Sequence, residues 1–258
     1  MGQAMLTGWI KNKIDIAISV IDPALPPNIK DRYMNQDINW CETATSINRK
    51  ADILVLAVKP QILEKAADPT KSFIHKNTLI LSIAAGKTIH NLTSVYGNDQ
   101  PVIRCMPNTP ASIGQGVIIG TCNSNVSEKQ KKQVEILLSP LGFFDWVEQE
   151  STLDAVTAIS GSGPAYVFLF IEALKQAALE LGISSKLADT LARQTVKGAA
   201  ILASQEDEKS IEELRKAVTS PGGTTEQALN ILMNNNAFSD LIEHAAQAAY
   251  EKSKELSN

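Results

Sequence analysis

The segment "TSPGGTTEQAL" (Thr219–Leu229) puts Ser220, Gly222, Gly223, Thr224 and Thr225 at the mouth of a helical pattern. Glycines ahead of a helix leave backbone N–H groups uncovered. Together with the positive end of the helix dipole, these groups can hold a carboxylate or a phosphate. A cap needs one small residue, so the Gly222–Gly223 pair points past a simple turn to a bound anion. Thr224 and Gln227 also have the spacing of a capping box. A second loop, "AISGSGPAY" (Ala158–Tyr166), sets two serines and two glycines before Pro164. It is not a G-x-S-x-G nucleophile elbow, because Ser160 stands two residues before Ser162. A phosphate-binding G-x-x-x-x-G-K-[ST] is absent from the sequence.

A further set of small residues and prolines follows the apolar runs of the first half. These are "VIDP" (Val20–Pro23), "AVKP" (Ala57–Pro60), "IAAG" (Ile83–Gly86) and "MPNTP" (Met106–Pro110). In an open α/β sheet, ligands bind outside the carboxyl ends of the strands. Small residues there let a flat ligand approach the backbone, and prolines stop the strand. One such end is an ordinary turn. Four along one sheet edge describe a crevice.

The elements that must position these loops differ between the halves. Residues 1–150 alternate helix and strand: "DIAISV", "ADILVLAV", "TLILSIAAG", "PVIRCMP", "GVIIGT" and "FFDWVE" read as strands. The continuous apolar runs suit strands covered on both faces, so a parallel α/β sheet of dinucleotide-binding type is expected. Residues 151–258 carry only helical patterns, a second and all-helical domain. The helix Pro164–Gly182 holds Val167, Phe168, Leu169, Phe170 and Ile171 in a row. Its apolar side must lie in a core or against a second subunit.

The net charge of −4 gives no basic face for nucleic acid. By sequence reading no apolar run approaches the ~18 residues of a membrane span. Cys41, Cys105 and Cys122 lack metal or C-x-x-C spacing, and His75, His90 and His244 are far apart, so no metal site is expected. Reduced thiols fit a cytoplasmic protein.

Five ordered blocks, "AVKPQ", "SIAAG", "RCMPNTPA", "SGSGPAYVF" and "SPGGTT", resemble those of the pyrroline-5-carboxylate reductase family, over nearly the whole chain. The resemblance implies a Rossmann domain followed by a helical dimerisation domain. It implies reduction of the cyclic imine L-1-pyrroline-5-carboxylate to L-proline with NADPH or NADH, in a homodimer that can assemble further, to a decamer. It makes Thr225 the hydrogen-bond partner of the ring nitrogen. It gives Ser220, Gly222, Gly223 and Thr224 to the substrate carboxylate, Val218 to the ring, and Glu208 to the neighbourhood of the nitrogen. For the cofactor it implies Ala57, Val58, Lys59, Pro60, Ile83, Ala84 and Ala85, with Asn108 facing the nicotinamide.

Two departures stand out. Met1-Gly2 matches the end of the glycine turn that opens the first Rossmann helix, so Gly2 is expected at the pyrophosphate. The preceding strand and first glycines are not in this sequence. Either the natural start lies roughly a dozen residues upstream, or the chain as it stands binds cofactor weakly. Loss of that strand would leave a gap in the sheet or draw its neighbours together. Second, Asp22 ends a strand where the adenosine ribose lies. A carboxylate there holds the 2′- and 3′-hydroxyls and repels a 2′-phosphate, which favours NADH. The alternatives are a dimerisation subunit with weak catalysis, or a related imine or β-hydroxyacid reductase.

Overall fold

A computed structural model describes residues 1–47 and 49–257. The elements run α1 (Gly2–Lys11), β1 (Ile18–Ile21), α2 (Pro27–Arg32), β2 (Ile38–Cys41), β3 (Ile53–Leu56), α3 (Leu63–Ala67), β4 (Leu79–Ser82), α4 (Ile89–Tyr96), β5 (Val102–Pro107), β6 (Gly116–Cys122), α5 (Glu128–Leu138) and β7 (Gly142–Trp146). Helices follow: α6 (Thr152–Val156), α7 (Gly163–Glu180), α8 (Ser185–Gln205), α9 (Ile211–Ala217), α10 (Thr224–Leu232) and α11 (Ala237–Ser257). A π turn, Thr157–Gly161, joins α6 to α7.

The chain divides into two compact units. The first unit is Met1–Ser162 plus the stretch from Ala249 onward; the second is Gly163–Ala248. The C-terminal end of α11 therefore belongs with the sheet, for a reason given by Asp154 below.

Among the described residues the first unit holds two sheets. β1 and β2 pair in parallel, and β3-β4-β5-β6-β7 form the other. A gap in the sheet, rather than closure, is the outcome seen. β4 is buried along its whole length, as its unbroken apolar run requires. Successive residues serve opposite faces. Leu79 and Leu81 pack with Met5, Trp9, Val134 and Leu138 from α1 and α5. Ile80 packs with Leu54, Leu63 and Leu92 on the other side. The Trp9 indole N–H donates to the Leu137 carbonyl at 2.7 Å, tying α1 to α5.

A parallel sheet was expected, but one of its pairings runs the other way. β5 and β6 are antiparallel, with Cys105 opposite Gly120. Their connection, residues 108–115, is a 3₁₀ turn ending at Gly114 with φ +74°. A parallel return needs a crossover of about a dozen residues or more. β6 and β7 do have such a crossover, α5, and they are parallel.

In the second unit α7 and α8 pack as a hairpin, braced by Lys175–Asp189 at 3.1 Å. α7 buries no residue in the single chain, and Phe168 and Leu169 are 58% and 66% exposed. Of the two places expected for its apolar side, the core of this chain is excluded. The stretch Thr152–Glu180 is also long and apolar enough by composition to cross a membrane, which corrects the reading that no run approaches that length.

Candidate active site

The strand ends of the first unit converge as small, close-set backbone. Gly2 opens α1, and no side chain caps that helix. A Cβ at Gly2 would stand 3.1 Å from the Ala57 Cβ, so the helix mouth lies directly against the end of β3. Ala57 and Lys59 are exposed, Val58 and Pro60 half-buried, and Pro60 begins a 3₁₀ turn. The Ile83 N–H donates to the Leu56 carbonyl at 3.2 Å, which sets residues 83–86 beside residues 57–60. Ala84 is buried and Ala85 exposed. The chain then bends at Gly86, φ +71°, into α4, whose N-terminus carries the Thr88–Asn91 capping box.

Asp22 ends β1. Its N–H donates to the Cys41 carbonyl, and its Oδ1 accepts the Ala24 N–H at 2.9 Å, an Asx turn. The half-buried carboxylate keeps its second oxygen outside that turn.

Asn108, expected to face the nicotinamide, has both ends of its amide engaged. It is buried, its Nδ2 donates to the Ser160 carbonyl at 3.0 Å, and its Oδ1 accepts the Val117 N–H at 2.9 Å. Both ends of the amide brace the π turn against β5 and β6. In that turn the Ser160 hydroxyl is buried without a hydrogen-bond partner.

Sequence reading did not single out the ionic core of this region. Arg104, on β5, is 4% exposed and pairs with Glu150 at 2.8 Å. The same Glu150 oxygen accepts the Ile89 N–H at 2.8 Å, the first amide of α4. The available signal was an arginine inside the apolar run "PVIRCMP". A buried charge demands a partner.

In the second unit the other candidate residues gather at the mouth of α10. α9 is capped by Ser210 and Glu213 and ends at Val218, which is exposed. Gly222 has φ +72° and turns the chain; the Gly223 N–H donates to the Ser220 carbonyl at 3.0 Å. A Cβ at Gly223 would come within 2.9 Å of that carbonyl, so Gly223 is required by space, whereas Gly222 is favoured by its positive φ alone. The Gly222 N–H donates to Glu226 Oε2 at 2.8 Å.

Gly223 is the N-cap, so Thr224 is the first helical residue and not the cap. The Thr224–Gln227 capping box does not form; Glu226 reaches back instead. With both glycine amides engaged, the open donors move on to the first-turn N–H groups of Thr224 and Thr225. Thr225 is half-buried, and Ser220 and Thr224 are exposed. Glu208 is exposed, between α8 and α9.

Residues 150–256 match the family profile described as pyrroline-5-carboxylate reductase dimerisation, and residues 1–86 match NADP oxidoreductase, coenzyme F420-dependent. A pyrroline-5-carboxylate reductase of Pseudomonas aeruginosa is 44% identical over 207 residues, covering 80% of this chain and 75% of the relative. The solved pyrroline-5-carboxylate reductase of Coxiella burnetii is 35% identical, with a TM-score of 0.90 over 100% of this chain and 95% of that one. The chain belongs to the pyrroline-5-carboxylate reductase family. The Plasmodium falciparum pyrroline carboxylate reductase, solved with NADP bound, is 33% identical with a TM-score of 0.84.

Its place in the pyrroline-5-carboxylate reductase family accounts for both halves: a Rossmann-like sheet unit, then a helical unit that supports dimer formation. The exposed apolar face of α7 lies within the dimerisation match. The sheet unit also passes a test of fit for a dinucleotide. Its strand ends carry alanines, and the open mouth of α1 approaches β3 closely, a Cβ at Gly2 standing 3.1 Å from that of Ala57.

Proposed function

We propose that this member of the pyrroline-5-carboxylate reductase family reduces L-1-pyrroline-5-carboxylate to L-proline with NAD(P)H, the last step of proline synthesis. The observation that carries the reading is the loop Val218–Thr225, a glycine-bent helix mouth with open first-turn donors and exposed hydroxyls. The nucleotide supplies a hydride to the imine carbon while the ring nitrogen keeps or gains a proton, and C=N becomes C–N. The chain's own task is orientation. Ser220, Gly222, Gly223 and Thr224 form the loop that takes the substrate carboxylate, the glycines by bending it and Thr224 by its open N–H; Val218 covers the ring, and Glu208 lies toward the nitrogen. The Thr225 hydroxyl hydrogen-bonds that nitrogen and fixes which face receives hydride.

On the nucleotide side, Gly2 faces the pyrophosphate. Ala57, Val58, Lys59, Pro60, Ile83, Ala84 and Ala85 line the strand-end crevice. Asn108 serves there as a brace. Asp22 holds the ribose hydroxyls, so NADH is the preferred cofactor. A homodimer, in the cytoplasm, is the working form; a decamer of five dimers is the larger assembly implied.

Nicotinamide absorbance with pyrroline-5-carboxylate as substrate tests the proposal. Turnover is expected, with a lower KM for NADH than for NADPH. Thr225→Ala is expected to lower kcat by about 10²-fold with the fold retained. A wild-type chain that binds nucleotide but does not oxidise it with this substrate would sink the reading. Light scattering reads the assembly at the same time.

A further inference from the structure

The end of α11 is held in the sheet unit by one buried carboxylate. Asp154, in α6, is 8% exposed, and its Oδ1 accepts the Ser253 hydroxyl at 2.7 Å and the Ser257 hydroxyl at 3.1 Å. Ser253 and Ser257 are four residues apart and share one helix face. Ser253 is the buried residue of α11, at 6% exposure, although the helix is rich in alanine. The anchor is therefore polar and directional rather than a greasy contact.

The docked turn rests on one spot. A Cβ built on Gly86 would lie 2.8 Å from the Leu256 carbonyl oxygen and 3.1 Å from the Leu256 Cβ. Gly86 also has φ +71°, so a side chain is excluded there twice over. The backbone of α11 thus backs the loop after β4, residues 83–86. The far end of that loop is pinned from the same segment of chain. Glu150 takes the first N–H of α4 and is itself held by Arg104. Glu150 and Asp154 flank one short stretch of chain and grip the loop from two sides.

We propose that Asp154 is a positioning residue for nucleotide binding, acting through the Ser253–Ser257 turn of α11 as a backstop behind residues 83–86. This rests on the reading of that loop as part of the nucleotide crevice. Asp154 touches no ligand. Its effect is to keep the exposed Ala85 backbone at one height at the strand end, where a nucleotide must approach closely.

The test measures nucleotide dissociation constants on the full chain by fluorescence of Trp9, Trp40 and Trp146, beside kcat and substrate KM at saturating nucleotide. Asp154→Ala is expected to weaken NADH binding about tenfold, the loss of two charge-assisted hydrogen bonds diluted through a loop, while kcat and substrate KM stay within about twofold. Asp154→Asn keeps an oxygen acceptor for both hydroxyls and is expected to restore binding to within about threefold. Ser253→Ala with Ser257→Ala should reproduce Asp154→Ala, and it carries the test if removal of the carboxylate prevents folding. Lys252→Ala, whose partner is the exposed Glu255, should change nothing. Amide hydrogen exchange at Ala84–Ile89 should rise in the serine double variant and in Asp154→Ala. Unchanged nucleotide binding and unchanged exchange in a folded double variant would overturn the backstop alone. A wild type that binds neither NADH nor NADPH would overturn both the backstop and the functional reading beneath it.

Discussion

The two compact units treat their apolar residues in opposite ways. In the sheet unit Leu79, Ile80 and Leu81 are wholly inaccessible, and two layers of helices cover the two faces of one sheet. In the helical unit α7 buries nothing, and phenylalanines and leucines lie open along it. Contiguous apolar surface on this scale marks an interaction face. The sheet unit carries its own core within one chain. The helical unit has half a core, and the dimerisation match over residues 150–256 names what completes it.

The largest expected effect comes from charging the open face. Leu169→Asp should convert dimer to monomer by size-exclusion with light scattering, and abolish turnover with it. Burying one carboxylate without a partner costs several kcal/mol per subunit. A dimer that survives Leu169→Asp would show that α7 is covered elsewhere. Next, Leu81→Ala should cost about 2–5 kcal/mol in denaturant unfolding through the cavity it leaves. Its loss should not depend on protein concentration, and the dimer should remain. A concentration-dependent loss would erase the contrast between the units.

The smallest effect concerns helix caps. The sheet unit closes its boxes with neutral amides, Asn91 at α4 and Gln130 at α5. The helical unit closes the box of α9 with a carboxylate, Glu213. Hydrogen bonds from the Ser210 backbone and hydroxyl hold the Glu213 carboxyl below the usual carboxylate range. Such a group contributes stability above its ordinary pKa and loses it as pH falls through the depressed one. Acid below the usual carboxylate range should therefore raise hydrogen exchange in α9 before it does so at the capped ends of α4 and α5. Glu213→Gln should flatten that response, since an amide does not titrate.

Much of the sheet unit was legible because burial on both faces writes unbroken apolar runs, as in Ile53–Leu56 and Leu79–Ser82. β2, "INWC", escaped notice: four residues with one asparagine hold too little pattern to register. The antiparallel turn between β5 and β6 was readable in principle from the short connection, but composition favoured a uniform parallel sheet. At the loop Val218–Thr225 the cap expected at Thr224 falls one residue earlier, at Gly223. Local spacing cannot tell whether Gly223 or Thr224 begins the helix. The Asp154–Ser253 bond joins residues 99 apart in sequence, beyond any periodicity. The candidate residues at strand ends and at the mouth of α10 came from motif and resemblance. The braces of the loop after β4, Glu150, Arg104 and Asp154, are brought to it only by the fold.

The return of α11 to the sheet unit has a consequence for synthesis on the ribosome. The serines that dock on Asp154 emerge only after residues 163–248 have been translated. At ordinary elongation rates that delay is about 4–17 s, far longer than a helix takes to form. The nascent sheet waits through it with the Gly86 bend uncovered. A chaperone that shields this patch would act on the polypeptide before release and find nothing to hold afterwards.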